Sequence, residues 1–155
     1  MLCILRRVIA GDLTRLGEDL VVASTRLSRL ATRNVNTLPH AAMRVLGRLD
    51  ELGQARISEL AKADRCSQPT MSNLVQRLED QGSVRRAQDP ADSRASLISL
   101  TDAGLAELRS ARHQAGVALA AHLRQLPAAD LTTLEAAVAI VHKLLTLEPL
   151  EATPR

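Results

Sequence analysis

The 155-residue chain contains no phenylalanine, tyrosine or tryptophan. Unpaired bases are held by stacking on aromatic faces, so this absence excludes the usual platform for single-stranded nucleic acid. It also obliges the core to be built from Leu, Val, Ile, Ala and Met, side chains that suit helix packing. Cysteine is nearly as scarce. Cys3 and Cys66 stand alone and far apart, a pattern of neither a disulfide framework nor a paired metal knuckle. His40, His113, His122 and His142 never fall three or four residues apart, so no one helix can chelate a metal through two of them. No metal and no cofactor is therefore expected. No run approaches the roughly 20 apolar residues that a bilayer requires. The N-terminal stretch MLCILRRVIAG is broken by Arg6 and Arg7 and lacks the long hydrophobic region and cleavage site of a signal peptide. A membrane partner is not expected, and the expected location is the cytoplasm. Nucleophile motifs, Gly-rich phosphate loops and well-placed carboxylate pairs are also missing, so the chain does not read as an enzyme.

What remains is an ordinary balance of 46% hydrophobic and 24% charged residues, as in a folded soluble domain. A domain of this size buries roughly 70% of the surface that its unfolded chain exposes, enough for a useful core. Lys and Arg number 20 against 17 acidic residues, a net charge of +3. That excess is too small to demand a polyanionic partner. All the cations except Lys62 and Lys143 are arginine, whose forked guanidinium suits phosphate and guanine, so the choice of cation leans toward nucleic acid.

Along the chain the period is mostly helical. Leu13, Leu16, Leu20, Ser24, Leu27 and Ala31 form one stripe of a helix over 12–33, and the residues before it suit a helical arm that packs on a second subunit. Asn34 to Pro39 interrupts the pattern. A second helix follows from His40 to Leu52 with Met43, Leu46 and Leu49 inward, then a short one over 57–63. Ser67 is a good N-cap for the next helix, and Pro69 is tolerated in its first turn, where a missing N–H costs nothing. That helix runs to Gln81, buries Met71, Leu74, Val75 and Leu78, and ends at Gly82. The period then changes. Residues 83–87 and 95–100 are strand-compatible, with the turn formers QDPADSR between them, which predicts a β-hairpin with a charged tip. Thr101 caps a long helix reaching Gln125, and Pro127 precedes a last helix with Leu131, Leu134, Val138, Val141 and Leu145 on one side. The expected fold is mainly α with a small β-hairpin wing. Residues 1–38 form an N-terminal dimerisation helix, 39–104 the central module, 105–147 C-terminal dimerisation helices and 148–155 a frayed tail.

Helix, short helix, polar-faced helix and hairpin make a winged helix-turn-helix, whose second helix would enter a major groove. Ser67, Gln68, Pro69, Thr70, Ser72, Asn73, Gln76 and Arg77 mark that helix. Gln and Asn can bond adenine edges, Ser and Thr can reach bases or phosphates, and Arg77 can read guanine or hold the backbone. A merely solvated helix would also be polar, but it more often carries Glu and Lys than SQPTMSN. Arg94 at the hairpin tip can enter a narrow minor groove, Asp92 can hold its guanidinium, and Asp89 can order the loop. Turns also collect Asp and Arg for local reasons, so the position after a recognition-like helix gives this pair its weight.

From Pro39 to Gly104, through ISELAKA, SQPTMSNLVQRLEDQGSV, DPADSR and ISLTDAG, the sequence resembles the MarR family of winged-helix regulators. The resemblance implies a homodimer on a pseudo-palindromic double-stranded operator, with Asp92 and Arg94 as the wing pair. It also implies a transcriptional regulator, often a repressor released by a small-molecule effector or by oxidation. Two departures stand out. Without aromatics an effector cannot be recognised by ring stacking, and Ser96 occupies a wing position where many relatives carry a basic residue. Either phosphate contacts then come from elsewhere, such as Arg44, Arg48, Arg85 or Arg86, or binding is weaker. For oxidation the candidates are Cys66, at the start of the recognition helix beside Arg65, and Cys3, nearer by position to the sensing cysteine of thiol-responsive relatives. A small thiol filling an inter-helix turn is the other reading of Cys66. The alternative function is a protein-interaction module without DNA binding, which would show an apolar patch in place of an exposed Arg94.

Overall fold

The computed structural model describes residues 2–33 and 38–147, with backbone alone for 2–12 and Ser93. The elements are α1 (Leu2–Thr32), α2 (His40–Leu52), β1 (Gln54–Arg56), α3 (Ile57–Ala63), α4 (Gln68–Asp80), β2 (Val84–Asp89), β3 (Asp92–Leu100), α5 (Asp102–Leu123) and α6 (Ala128–Leu145). The chain divides into two compact units, Met1–Ala118 and Leu119–Arg155. In the first, a three-stranded antiparallel sheet of order β1-β3-β2 stands beside α2, α3 and α4. Its core is aliphatic, as the lack of aromatics requires: Leu46 and Leu49 of α2, Leu60 of α3, Met71, Val75 and Leu78 of α4, Ile98 of β3 and Leu108 of α5 are all buried. The second unit holds α6, none of whose residues is buried. The fold is thus mainly helical with a small wing, as expected.

α1 runs as one helix back to Leu2, through Gly11, in line with a helical arm there. Two details differ from the sequence-based expectation. Gln54–Arg56 forms a strand that three residues could not announce by alternation; Ala55 opposite Ile98 is its buried member. The hairpin is also longer than expected, since β2 and β3 continue through the turn formers and leave Pro90 and Ala91 at the tip. Backbone pairing carries on there without apolar side chains, and the register slips between Gln88 and Asp89. Of the break expected over 34–39, Leu38 and Pro39 are non-helical as expected, while residues 34–37 and the tail 148–155 lie outside the described residues.

Two ion pairs brace the module. Arg44 on α2 makes a bidentate contact with Asp64 in the α3–α4 turn, Nε to Oδ1 at 2.6 Å and Nη2 to Oδ2 at 2.8 Å. Arg56 at the end of β1 donates from Nε to Oδ2 of buried Asp89 at 2.6 Å, while Oδ1 of Asp89 accepts from the backbone N–H of Ala91 at 2.8 Å. The Arg44 guanidinium holds the Asp64 carboxyl below its usual range. At Asp89 the Ala91 N–H is the main cause of the same shift, with Arg56 second.

α4 ends on Gly82 with φ +76°, its N–H donating to the Glu79 carbonyl while the Ser83 N–H donates to that of Leu78. This is the Schellman arrangement, which favours glycine because its conformation is left-handed. At Gly104 in α5 the constraint is space: a Cβ there would lie 1.9 Å from the Ser83 carbonyl oxygen, whereas one at Gly116 would meet nothing within 4 Å. Gly104→Ala should therefore destabilise the protein by about 1–3 kcal/mol through overpacking, and Gly116→Ala should raise stability by about 0.5–1 kcal/mol through helix propensity. Urea unfolding of both variants checks this; a Gly104→Ala protein as stable as the parent would contradict the close approach. The lowered carboxyl pKa values of Asp64 and Asp89 contribute stability that is present above the unfolded value, near pH 4, and is lost as pH falls through the lower native values. Urea midpoints should accordingly drop on acidification below about pH 4. Asp64→Asn should lower the neutral midpoint and flatten that acid dependence; an unchanged acid slope would remove Asp64 from the account.

Candidate nucleic-acid interface

α4 is pinned at its start by its own sequence. The Ser67 hydroxyl accepts from the Thr70 N–H at 3.3 Å and lies 2.8 Å from the Thr70 Oγ1, so Ser67 acts as a cap, and Pro69 occupies the first turn. With Met71, Val75 and Leu78 facing the core, Gln68, Thr70, Asn73, Gln76 and Arg77 are exposed and Ser72 is half-buried. The face keeps several hydrogen-bonding groups outward. Gln76 Nε2 donates to Asp80 at 2.9 Å, which orients the amide, and Arg77 Nε donates to the Asn73 carbonyl at 3.3 Å, which lays the guanidinium along the helix.

The wing presents its cation in the same held manner. Asp92 Oδ1 accepts from the Arg94 N–H at 3.1 Å and from its Nε at 3.3 Å, while the Arg94 side chain is 90% exposed. Asp89, expected to order the loop, is turned inward onto Arg56 and Ala91. Arg85 and Arg86 sit along β2, away from the tip. Arg85 Nε donates to Ser99 Oγ at 3.0 Å, and Arg86 Nε donates to Glu79 of α4 at 3.3 Å. Arg44 and Arg48, named with them as phosphate contacts, are engaged by Asp64 and Glu51. Between the first turn of α4 and the wing lies a cleft of about 260 Å3 lined by Arg56, Ser58, Gln68, Arg86, Arg94 and Ser96, together with Ile57 and Ala95.

Sequence reasoning missed Arg56 and Ser58 because Arg56 ends an unrecognised strand and its partner Asp89 lies 33 residues away. No local motif announces such a pair. Cys66 is partly buried and packs against the core at the α3–α4 turn, a placement that fits a packing role. The side chain of Cys3 lies outside the described residues. Among the described residues no group of three or more His, Cys, Asp or Glu side chains could hold a metal ion, and no helix is long and apolar enough to cross a membrane.

The pattern of the MarR family matches residues 38–96, the span of the helix-turn-helix and most of its wing. An uncharacterized HTH-type transcriptional regulator of Mycobacterium bovis is 31% identical over 137 residues, covering 87% of this chain and 96% of that protein. Among solved structures, the apo form of wild-type MarR from E. coli is similar with a TM-score of 0.65 at 25% identity, covering 83% of this chain and 95% of that one. A mutant of the same E. coli protein, crystallised with operator DNA, shares the fold with a TM-score of 0.57 at 24% identity, over 84% of this chain and 96% of that one. Likeness to a helix-turn-helix regulator over almost its whole length, joined to the family match across the reading module, means that the chain belongs to the MarR family of transcriptional regulators.

Proposed function

We propose that the protein is a cytoplasmic homodimer that grips a pseudo-palindromic site on duplex DNA, α4 of each copy reading base edges in a major groove and Arg94 of each wing entering the flanking minor groove. The observation that carries this reading is the pairing of an uncharged exposed face, Gln68 to Gln76, with a guanidinium held out at the adjoining wing. A protein-docking module would offer apolar surface where Arg94 stands. The operator complex of the E. coli MarR mutant supports the reading by likeness of fold.

The second copy is called for by uncovered apolar faces. Leu13, Leu16, Leu20 and Leu27 recur at helical spacing on α1 and are all exposed, as are Leu134, Val138, Val141 and Leu145 on α6. Faces of this kind are covered in a stable soluble protein by a partner subunit. Regulation follows the repressor pattern, with release by a small molecule or by oxidation. A cleft of about 640 Å3 lined by Ser24, Thr25, Ser28, Arg29, His40, Met43 and Arg44 supports the small-molecule route. Its cations suit an anionic group, and its effector must be held without ring stacking.

Selection of bound fragments from random duplex DNA should return a two-fold-related sequence, and binding to it should weaken steeply as salt rises. Binding indifferent to sequence and salt would refute the reading. Asn73→Ala and Gln76→Ala should change base preference at a cost of about 1–3 kcal/mol for each lost base contact. Arg94→Ala should lower affinity chiefly for sites with A·T-rich flanks, measured by anisotropy on matched duplexes. Equal affinities of all three variants for every duplex would show that another surface does the reading.

A further inference from the structure

Asp80 is an unexpected residue on a helix that reads DNA. It closes α4, where the carbonyl end of the helix dipole disfavours an anion. It is exposed, and a turn of about 100° per residue sets it between Asn73 and Gln76 in angle, on the side that would face the negatively charged duplex. Its neighbour Glu79 is answered by Arg86, but Asp80 has no such cation. Among the described residues its one side-chain partner is Gln76, whose Nε2 donates to its Oδ1 at 2.9 Å. That contact decides which end of the amide points where. A carboxylate only accepts hydrogen bonds, so the NH2 end of Gln76 is held at Asp80 and the oxygen is left as the free end. Reversing the amide would set oxygen against oxygen, at a cost that rises when DNA displaces the water around them. The side-chain amide of Asn73, on the same face, makes no such bond among the described residues; there the Arg77 side chain bonds the backbone carbonyl instead.

An unheld glutamine can read any base, because turning its amide over exchanges an acceptor for a donor. In the major groove adenine and cytosine present an exocyclic amino donor, N6 or N4, whereas guanine and thymine present a keto acceptor, O6 or O4. We propose that Asp80 is the positioning residue for Gln76, fixing its amide with the oxygen toward the base, so that an amino-bearing base is accepted and a keto base is refused. Guanine or thymine would meet an oxygen that cannot turn aside, and such a repulsive element sets specificity as effectively as an attractive one. The assignment rests on the proposed placement of α4 in a major groove and adds to it the polarity of one contact and the residue that sets it. It also accounts for a carboxylate on the reading face, which weakens attraction to every duplex alike but sharpens the choice among them.

The base pair facing Gln76 is the one whose preference changes when fragments selected by wild type and by Gln76→Ala are compared. On four duplexes that differ only there, wild type should bind those with adenine or cytosine facing Gln76 roughly tenfold more tightly than those with guanine or thymine. Asp80→Asn is nearly isosteric, and its own amide can serve either end of Gln76, so it should lose most of that ratio. It should also bind all four duplexes more tightly, because a negative charge has left the surface. Replacing the preferred base by its analogue without the exocyclic amino group, purine for adenine or pyrimidinone for cytosine, should still weaken binding by Asp80→Asn, since Gln76 still reaches the base. In Gln76→Ala the same replacement should have no effect, and adding Asp80→Asn to Gln76→Ala should leave the amino-to-keto ratio where it was. Preference at the pair facing Asn73 should be the same in all of these proteins. The proposal is overturned if Asp80→Asn keeps the wild-type ratio whatever it does to affinity, or if wild type shows no such ratio at a pair that Gln76→Ala alters. Loss of the Asn73 preference together with that of Gln76 would also overturn it, as the mark of a disturbed helix. If Gln76→Ala alters no pair, the proposal falls while Asn73→Ala still tests α4 in the groove; failure of wild type to select any duplex would instead remove the binding mode on which it depends.

Discussion

The hydroxyl of Thr101 ties together the end of the reading helix, the root of the wing and the start of α5. It donates to the Gly82 carbonyl at 2.6 Å, lies 3.2 Å from that of Ser83, and accepts from the Gly104 N–H at 3.0 Å. The Thr101 N–H donates to the Ser83 carbonyl at 3.2 Å, and the Ser83 hydroxyl donates to Glu107 at 2.7 Å. A cap that would ordinarily serve one helix thus closes the polar groups of three elements, at a place where Ser83 is buried and its carbonyl has little access to water. Gly104 belongs to the same constraint, because only a residue without Cβ lets α5 descend onto Ser83. The first turn of α5 is thereby hydrogen-bonded directly to the end of α4 and the root of the wing.

Charge in this protein works by placement more than by amount. With 20 cations against 17 anions, long-range attraction to DNA is modest. Exposed ion pairs contribute only about 0–1 kcal/mol of stability each, so the Asp92–Arg94 and Glu79–Arg86 pairs matter chiefly as holders of direction. The turn ahead of α4 shows geometry kept at a cost. Arg65 adopts φ +50°, a left-handed conformation unfavourable for a side-chain-bearing residue by roughly 1–2 kcal/mol. It is held by the Cys66 N–H donating to the Ala61 carbonyl and by the Arg44–Asp64 pair one residue earlier. The turn that sets the direction of α4 is thus braced from both sides.

The elements with sequence periods long enough to count were legible in advance. The stripe of Met71, Val75 and Leu78, the Ser67 cap and the Gly82 stop defined α4 to within a residue, and Ile57 to Ala63 was placed correctly. The strand at Gln54–Arg56 was not legible, because three residues carry no alternation and the strand exists only through pairing with β3. The turn formers of the hairpin suggest a wider tip than the structure has for a related reason: backbone hydrogen bonds between β2 and β3 need no apolar side chains. At the site, residues chosen for their own chemistry, such as Asn73 and Arg94, are exposed where expected. The pairings of Arg56 with Asp89 and of Arg44 with Asp64, whose partners are distant in sequence, cannot be found from local pattern, although Asp89 and Arg44 stand out singly. Long-range ion pairs are a property of the fold, and a single sequence does not display them.

The uncovered faces of α1 and α6 and the small number of base contacts have a common explanation. On the proposed reading one α4 would offer four or five side chains to a major groove, and each good base contact discriminates by about 1–3 kcal/mol. That is too little to find one site among the competing sequences of a genome, so the reading module gains from being doubled. Doubling requires a partner held at fixed spacing, and fixed spacing requires surfaces that separate only at high cost. Leucines and valines left exposed at helical intervals among the described residues of α1 and α6 would supply such surfaces. On the proposed reading, the hydrophobic excess of the flanking helices and the modest chemistry of the α4 face are thus two halves of one requirement, which two copies with their α4 helices one turn of duplex apart would meet.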